Sequence, residues 1–475
     1  MGKLNKKQMP MWAKTGHQKP VTRREFLAAG LIPFAASAFV PGALGLLGTP
    51  FAANAAECTD PAQVLAPFIT LNLSGGAALM ANLLPRDQGF QPLPNYQSLG
   101  YPSQPTMVNA YGSPSWSSTS GVLAGLNSII TDQSVRDKVQ VIQVSVSSVD
   151  DTNSNRFDVS GMVYAAGLAG TLMPNLGRRS SVSGINQQSA LVNPPRPLVV
   201  ATVNDIVNSL GYTASLNAAA LSPTQKQKLA TLVGNLSASQ AEKLSRIRSV
   251  AHVKDLVECA GIKNSSVVGA SAALVNPFAT GANSSQQQIA TVWNSGTALA
   301  SNQVFGAMVY NGLVGQAGTV NLELGGYDYH DGTRTTGDRM DNEAGQQIGK
   351  IIQSANILGK KVAVYLTSDG STAAGGGGIW VSDRGQAGSA MLFLFDPAGR
   401  PQLVSGATPQ IGHYESNGSQ QVVASSLVSD PQNAAVAAFR NYIAFNGQSA
   451  LSRFDKVGSS FSRDQLDQIT KIMPK

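Results

Sequence analysis

The sequence predicts an α/β protein, with a mainly parallel central sheet flanked by helices and a helical insertion. Three observations predict it. Short apolar runs rich in β-branched residues end in clusters of Gly, Ser or Asp. Helical patterns lie between these runs. In the second half, a long helical pattern passes through one Gly directly into the next strand. Strand, loop, helix and strand in that order is the βαβ arrangement, which pairs its strands in parallel.

Phe68–Leu73 runs into Ser74-Gly75-Gly76, and Val139–Val146 runs into Ser147-Ser148-Val149-Asp150-Asp151. Pro197–Val203 is a weaker run. Val320–Leu324 leads into Gly325-Gly326-Tyr327-Asp328-Tyr329-His330, and Val362–Leu366 into Thr367-Ser368-Asp369-Gly370. Met391–Phe395 stops at Asp396-Pro397. Near-continuous hydrophobicity marks these as buried strands. Among the helices, Ser222 reads as an N-cap with Pro223 at the first helical position, ahead of an apolar face of Leu229, Leu232, Val233 and Leu236. Ser239 and Glu242 have capping-box spacing ahead of Leu244, Ile247 and Val250. Asp338–Leu358 reads as a helix closed by Gly359. The stretch from about 215 to 300 is helical and polar, an insertion rather than part of the sheet. Ala373–Gly378 reads as a flexible loop.

The chain has 475 residues, 43% of them hydrophobic and only 13% charged, enough apolar material for a large core. The net charge of +7 is concentrated at the N-terminus. Without Lys3, Lys6, Lys7, Lys14, Lys19, Arg23, Arg24 and Glu25, the remainder has 27 basic and 26 acidic residues. That near-neutral remainder lacks the electrostatic footprint of a nucleic-acid binder.

Residues 1–55 read as a twin-arginine signal peptide. Thr22-Arg23-Arg24-Glu25-Phe26-Leu27 follows a long basic region and precedes a mildly apolar stretch, and Ala53-Asn54-Ala55 fits a cleavage site. Pro33 and Pro41 interrupt the apolar stretch, which argues against a spanning anchor. The expected partners are the twin-arginine translocation machinery and signal peptidase. The expected location is the periplasm or another exported compartment, with a mature domain from 56 to 475 that does not span the membrane. Cys58 and Cys259 are the only cysteines. In an oxidising compartment they form one disulfide or remain two thiols, and spacing does not decide between these.

In an open α/β sheet, ligands sit at the carboxyl ends of the strands. Asp328, His330 and Asp369 follow strand ends, and Asp383 lies just past the Gly-rich loop. Asp and His drawn from different strand ends are how an oxygen/nitrogen cation site is built. Single acids in such loops are also ordinary turn residues.

Gly325-Gly326-Tyr327-Asp328-Tyr329-His330 resembles the Gly-Gly-aromatic-Asp-x-His motif of an exported bacterial family of unknown function, a divergent branch of the alkaline phosphatase/sulfatase superfamily. Leu71–Gly76 through Pro85, Asn155-Arg156-Phe157-Asp158, Thr367–Thr372 and Asp383–Gly388 resemble its further conserved stretches in the same order. The resemblance implies an alkaline phosphatase-like sheet. It also implies a site for one divalent cation on Asp328, His330, Asp369 and Asp383, with Arg384 and Arg156 available to an anion.

The sequence departs from that pattern. The first loop carries an acid in the family, whereas Gly76–Asn82 carries none here. Arg384 stands in place of the His of an Asp-His-Gly motif, and Arg156 lies in a stretch that often carries a His. A guanidinium cannot ligate a cation; it holds an anion or pairs with Asp328 or Asp369. Beyond residue 55 the only histidines are His252, His330 and His413, few for a two-metal centre. His252 reads as a surface residue, and His413 sits in a loop. Ser74, Ser368 and Ser371 are the serines placed to be nucleophiles, with no adjacent His as base. The expected function is therefore a degenerate, non-catalytic binding or envelope role. The alternatives are a metal-dependent phosphate- or sulfate-ester hydrolase and a secretion or surface-assembly component.

Overall fold

A computed structural model describes residues 65–101, 104–146, 159–178 apart from 169 and 171, and 197–208. It also describes short stretches between 221 and 235, then 272–327, 334–368, 372–374, 380–383, and 388–475 apart from 458 and 460. The chain divides into two units, one of residues 60–209 and 270–475, the other of 1–59 and 210–269. In the second unit, the N-cap expected at Ser222 is present: Gln225 N–H donates to Ser222 Oγ at 3.3 Å, and Ser222 N–H to Gln225 Oε1 at 2.9 Å. The leader and both cysteines lie outside the described residues.

The larger unit is built on an eight-stranded sheet. In chain order its strands are β1 (Phe68–Leu73), β4 (Val139–Val146), β5 (Met173–Arg178), β6 (Leu198–Val200), β7 (Ala317–Leu324), β8 (Val362–Ser368), β11 (Gly388–Phe395) and β12 (Gln410–Ile411). Two hairpins, β2 (Met107–Ala110) with β3 (Ser113–Ser117) and β9 (Thr372–Ala374) with β10 (Trp380–Asp383), stand apart from it. The spatial order is β12-β4-β11-β8-β1-β7-β5-β6. Every pairing is parallel except the two made by β11 with β4 and β8. The architecture is thus α/β and mostly parallel.

Helices cover both faces. They are α1 (Gly121–Ile129), α2 (Val159–Ala165), α3 (Ser284–Trp293), α4 (Asn302–Leu313), α5 (Arg334–Ile357) and α6 (Pro431–Phe445). On the back face, Phe68, Ile142, Val144, Tyr365 and Leu392 pack with Met162 and Val163 of α2 and Phe439, Tyr442 and Ile443 of α6. Phe68 meets Tyr442 edge-on, with ring centres 5.1 Å apart. Beneath α2, Ser160 Oγ donates to Asn321 Oδ1 at 2.5 Å and lies 3.0 Å from Thr70 Oγ1, so these buried polar groups satisfy one another.

The front face carries α1, α4 and α5. α5 starts four residues before the predicted helix and ends one residue short of it, and Gly359 closes it at φ 61, with Lys360 N–H donating to Ala355 O at 2.9 Å. α1 begins at an N-cap, Ser120, whose Oγ accepts from Leu123 N–H at 3.0 Å. α1 and α5 cross on glycines: Gly121 and Gly125 face α5, and Gly345 and Gly349 face α1. Residues four apart share a helix face, so each helix presents a strip without side chains and the two backbones touch.

Candidate functional site

The register decides which strand ends meet. β1 lies between β7 and β8, with Leu73 beside Leu324 on one side and beside Ser368 on the other. The three strands that lead into Ser74-Gly75-Gly76, Gly325-Gly326-Tyr327 and Asp369 therefore finish side by side on one edge. Antiparallel β11 starts on the same edge, with Gly388 opposite Val146 at the end of β4. This is the carboxyl edge, where a mostly parallel sheet places ligands.

Hydrogen bonds continue past the strands. Ser74 N–H donates to Leu324 O at 2.9 Å, and Tyr327 N–H donates to Ser74 O at 3.0 Å. Gly75 and Gly76 then turn the chain at φ 116 and 98, a region closed to most side chains. Tyr327 is fully buried; its hydroxyl donates to Met340 O of α5 at 2.8 Å. Burial holds that hydroxyl well above its ordinary pKa, and Asp341 and Glu343 push it the same way. Tyr327 is thus an anchor that fixes where the chain departs toward Asp328.

Ser368, one of the three candidate nucleophiles, is committed to the fold. Its Oγ donates to Leu73 O and accepts from Ala77 N–H, both at 2.8 Å, and the side chain is buried. It staples β8 to β1 and to the loop that follows. Replacing Ser368 with Ala is expected to cost about 2–3 kcal/mol, since a buried N–H and a buried carbonyl both lose their partner. Denaturant unfolding checks this; a loss below about 1 kcal/mol would show that water takes over both bonds.

The loop after β1 is packed into the core. Ala77, Ala78, Leu79, Met80 and Ala81 are all buried, with a single 3₁₀ turn over Leu79–Ala81. Its last residue, Asn82, closes a polar knot. The Asn82 amide donates to Asp341 Oδ2 at 2.6 Å, and its carbonyl accepts from Ser120 Oγ at 2.7 Å and Val122 N–H at 3.1 Å. The segment where the resembling family carries an acid is here an apolar plug, tied to the start of α1 and the first half of α5.

Asp328, His330, Asp369, Arg384 and Arg156 lie outside the described residues, as do Ser371 and His252. Asp383 ends β10, paired with Thr372 of β9, so part of the predicted flexible loop forms a hairpin; the Asp383 side chain lies outside the description. Among the described residues no group of three or more His, Cys, Asp or Glu could hold a metal ion. His413 is described: it is half-buried, and burial lowers its pKa against the raising pull of Glu415 and Asp87.

The sequence reading passed over one acid. Glu323 sits inside β7, one row from its end, and the register sets Asn72 between Glu323 and Thr367 on the back face. The signal was available, since an acid in an otherwise buried parallel strand departs from the hydrophobic run expected there.

The fold and its edge define a mostly parallel α/β protein with Gly-rich segments leaving the adjacent strands β1 and β7. No known protein family, curated protein or solved structure matches the chain. Among the described residues no helix is long and apolar enough to cross a membrane.

Proposed function

We propose that this chain is an exported, alkaline phosphatase/sulfatase-like protein whose cation site is degenerate and whose role in the envelope is to bind rather than to hydrolyse. The observation that carries this reading is the apolar plug at Ala77–Ala81. The resembling family carries an acid in the loop after the first strand; here that loop is buried and carries none, and the Ser368 hydroxyl at the end of the neighbouring β8 has both bonds filled. Arg384 and Arg156 then supply positive charge where a resident cation would have supplied it, and suit an anionic group of the ligand or partner.

A second reading is favoured by the placement of β1 between β7 and β8, which brings the approaches to Asp328 and Asp369 to one edge. In it, Asp328, His330, Asp369 and Asp383 hold one divalent cation, and the protein cleaves a phosphate or sulfate ester.

Metal analysis of the purified protein, with Asp328→Ala alongside, separates the two. The binding reading expects sub-stoichiometric Zn, Mn and Ca and an unfolding midpoint unchanged by chelator. One equivalent of metal, lost in Asp328→Ala, would overturn it in favour of the hydrolase.

A further inference from the structure

We draw no further inference here: the strongest candidate, the apolar face of Leu229 and Leu232 that stands exposed on the helix capped by Ser222 in the smaller unit, carries nothing because nothing in the structure shows what covers it.

Discussion

Gly125→Val is expected to destabilise the protein by more than about 3 kcal/mol, beyond the usual range for an overpacked core. A Cβ on Gly125 would overlap Asn342 O of α5 and lie 2.8 Å from Gln346 N. Both are backbone atoms in the middle of a long helix, so neither can swing aside as a side chain does. The same holds in reverse at Gly345, whose Cβ would overlap Val122 O. Glycine inside a helix costs roughly 1 kcal/mol against alanine. Four of them along one crossing are a standing cost, offset by backbone contact closer than the usual 8–10 Å axis separation. Removing one glycine regains that propensity term, but the clash is several times larger and decides the sign. Ala124 points outward on the same helix, and Ala124→Val is expected to cost under about 1 kcal/mol. Denaturant unfolding of the two variants checks the pair; similar losses would mean that the helices separate without penalty.

Lys350→Met is expected to stabilise the protein at pH 7 by roughly 2–3 kcal/mol. Lys350 lies in α5 and is fully buried, its Nζ has no hydrogen-bond partner, and its closest described compensation is the Trp293 ring 5.9 Å away. Burial pulls its pKa down to about 8. The folded value thus lies below the unfolded value of about 10.4. Below pH 8 both states carry the proton and the penalty for burying the charge is complete. Between pH 8 and about 10 the unfolded state holds more protons, so parent stability rises with pH. Methionine fills the same volume without the charge, so the variant loses the share of that rise due to Lys350 and keeps the share due to Lys471, which burial also lowers. The window closes near pH 10 because buried Tyr327, Tyr365, Tyr414 and Tyr442, all raised by burial, bring the opposite trend above it. Unfolding free energies at pH 7, 8.5 and 9.5 test this; a parent profile no steeper than that of the variant would place the ammonium in contact with solvent.

Much of the sheet was legible in the sequence. Phe68–Leu73, Val139–Val146 and Val362–Leu366 are mostly apolar runs, broken only by single polar residues such as Thr70, Asn72, Gln140 and Gln143, and near-continuous hydrophobicity is what a strand covered on both faces requires. β5 was not legible. Met173–Arg178 contains Pro174 and Gly177, both poor in strands, and it is held by tertiary contacts such as Asn175 Oδ1, which accepts from Thr319 Oγ1 at 2.8 Å. The reversed direction of β11 was hidden for another reason: a buried strand reads alike from either end. α6 carried Asp430 as N-cap and Pro431 at its start, a signal present but passed over. At the site, the sequence located the ends of β1, β7 and β8 but not the polar atoms of the front face. Serine in a Gly- and Ser-rich chain carries no pattern of its own, and only strand register shows that Ser145 and Ser389 are neighbours.

The single reversed strand has an architectural consequence. β8 stops at Ser368 and β11, its immediate neighbour, starts at Gly388, so the two attachment points of residues 369–387 lie on adjacent strands, about 5 Å apart across the sheet. A parallel partner would have forced this segment to travel the full height of the sheet. Here it leaves and re-enters at one rim, and can be exchanged wholesale, as a graft between two fixed posts, without rewiring the strands below. The stretch that includes Asp369, Asp383 and Arg384 therefore joins the scaffold at one rim only, and its length and chemistry place no demand on the strands between.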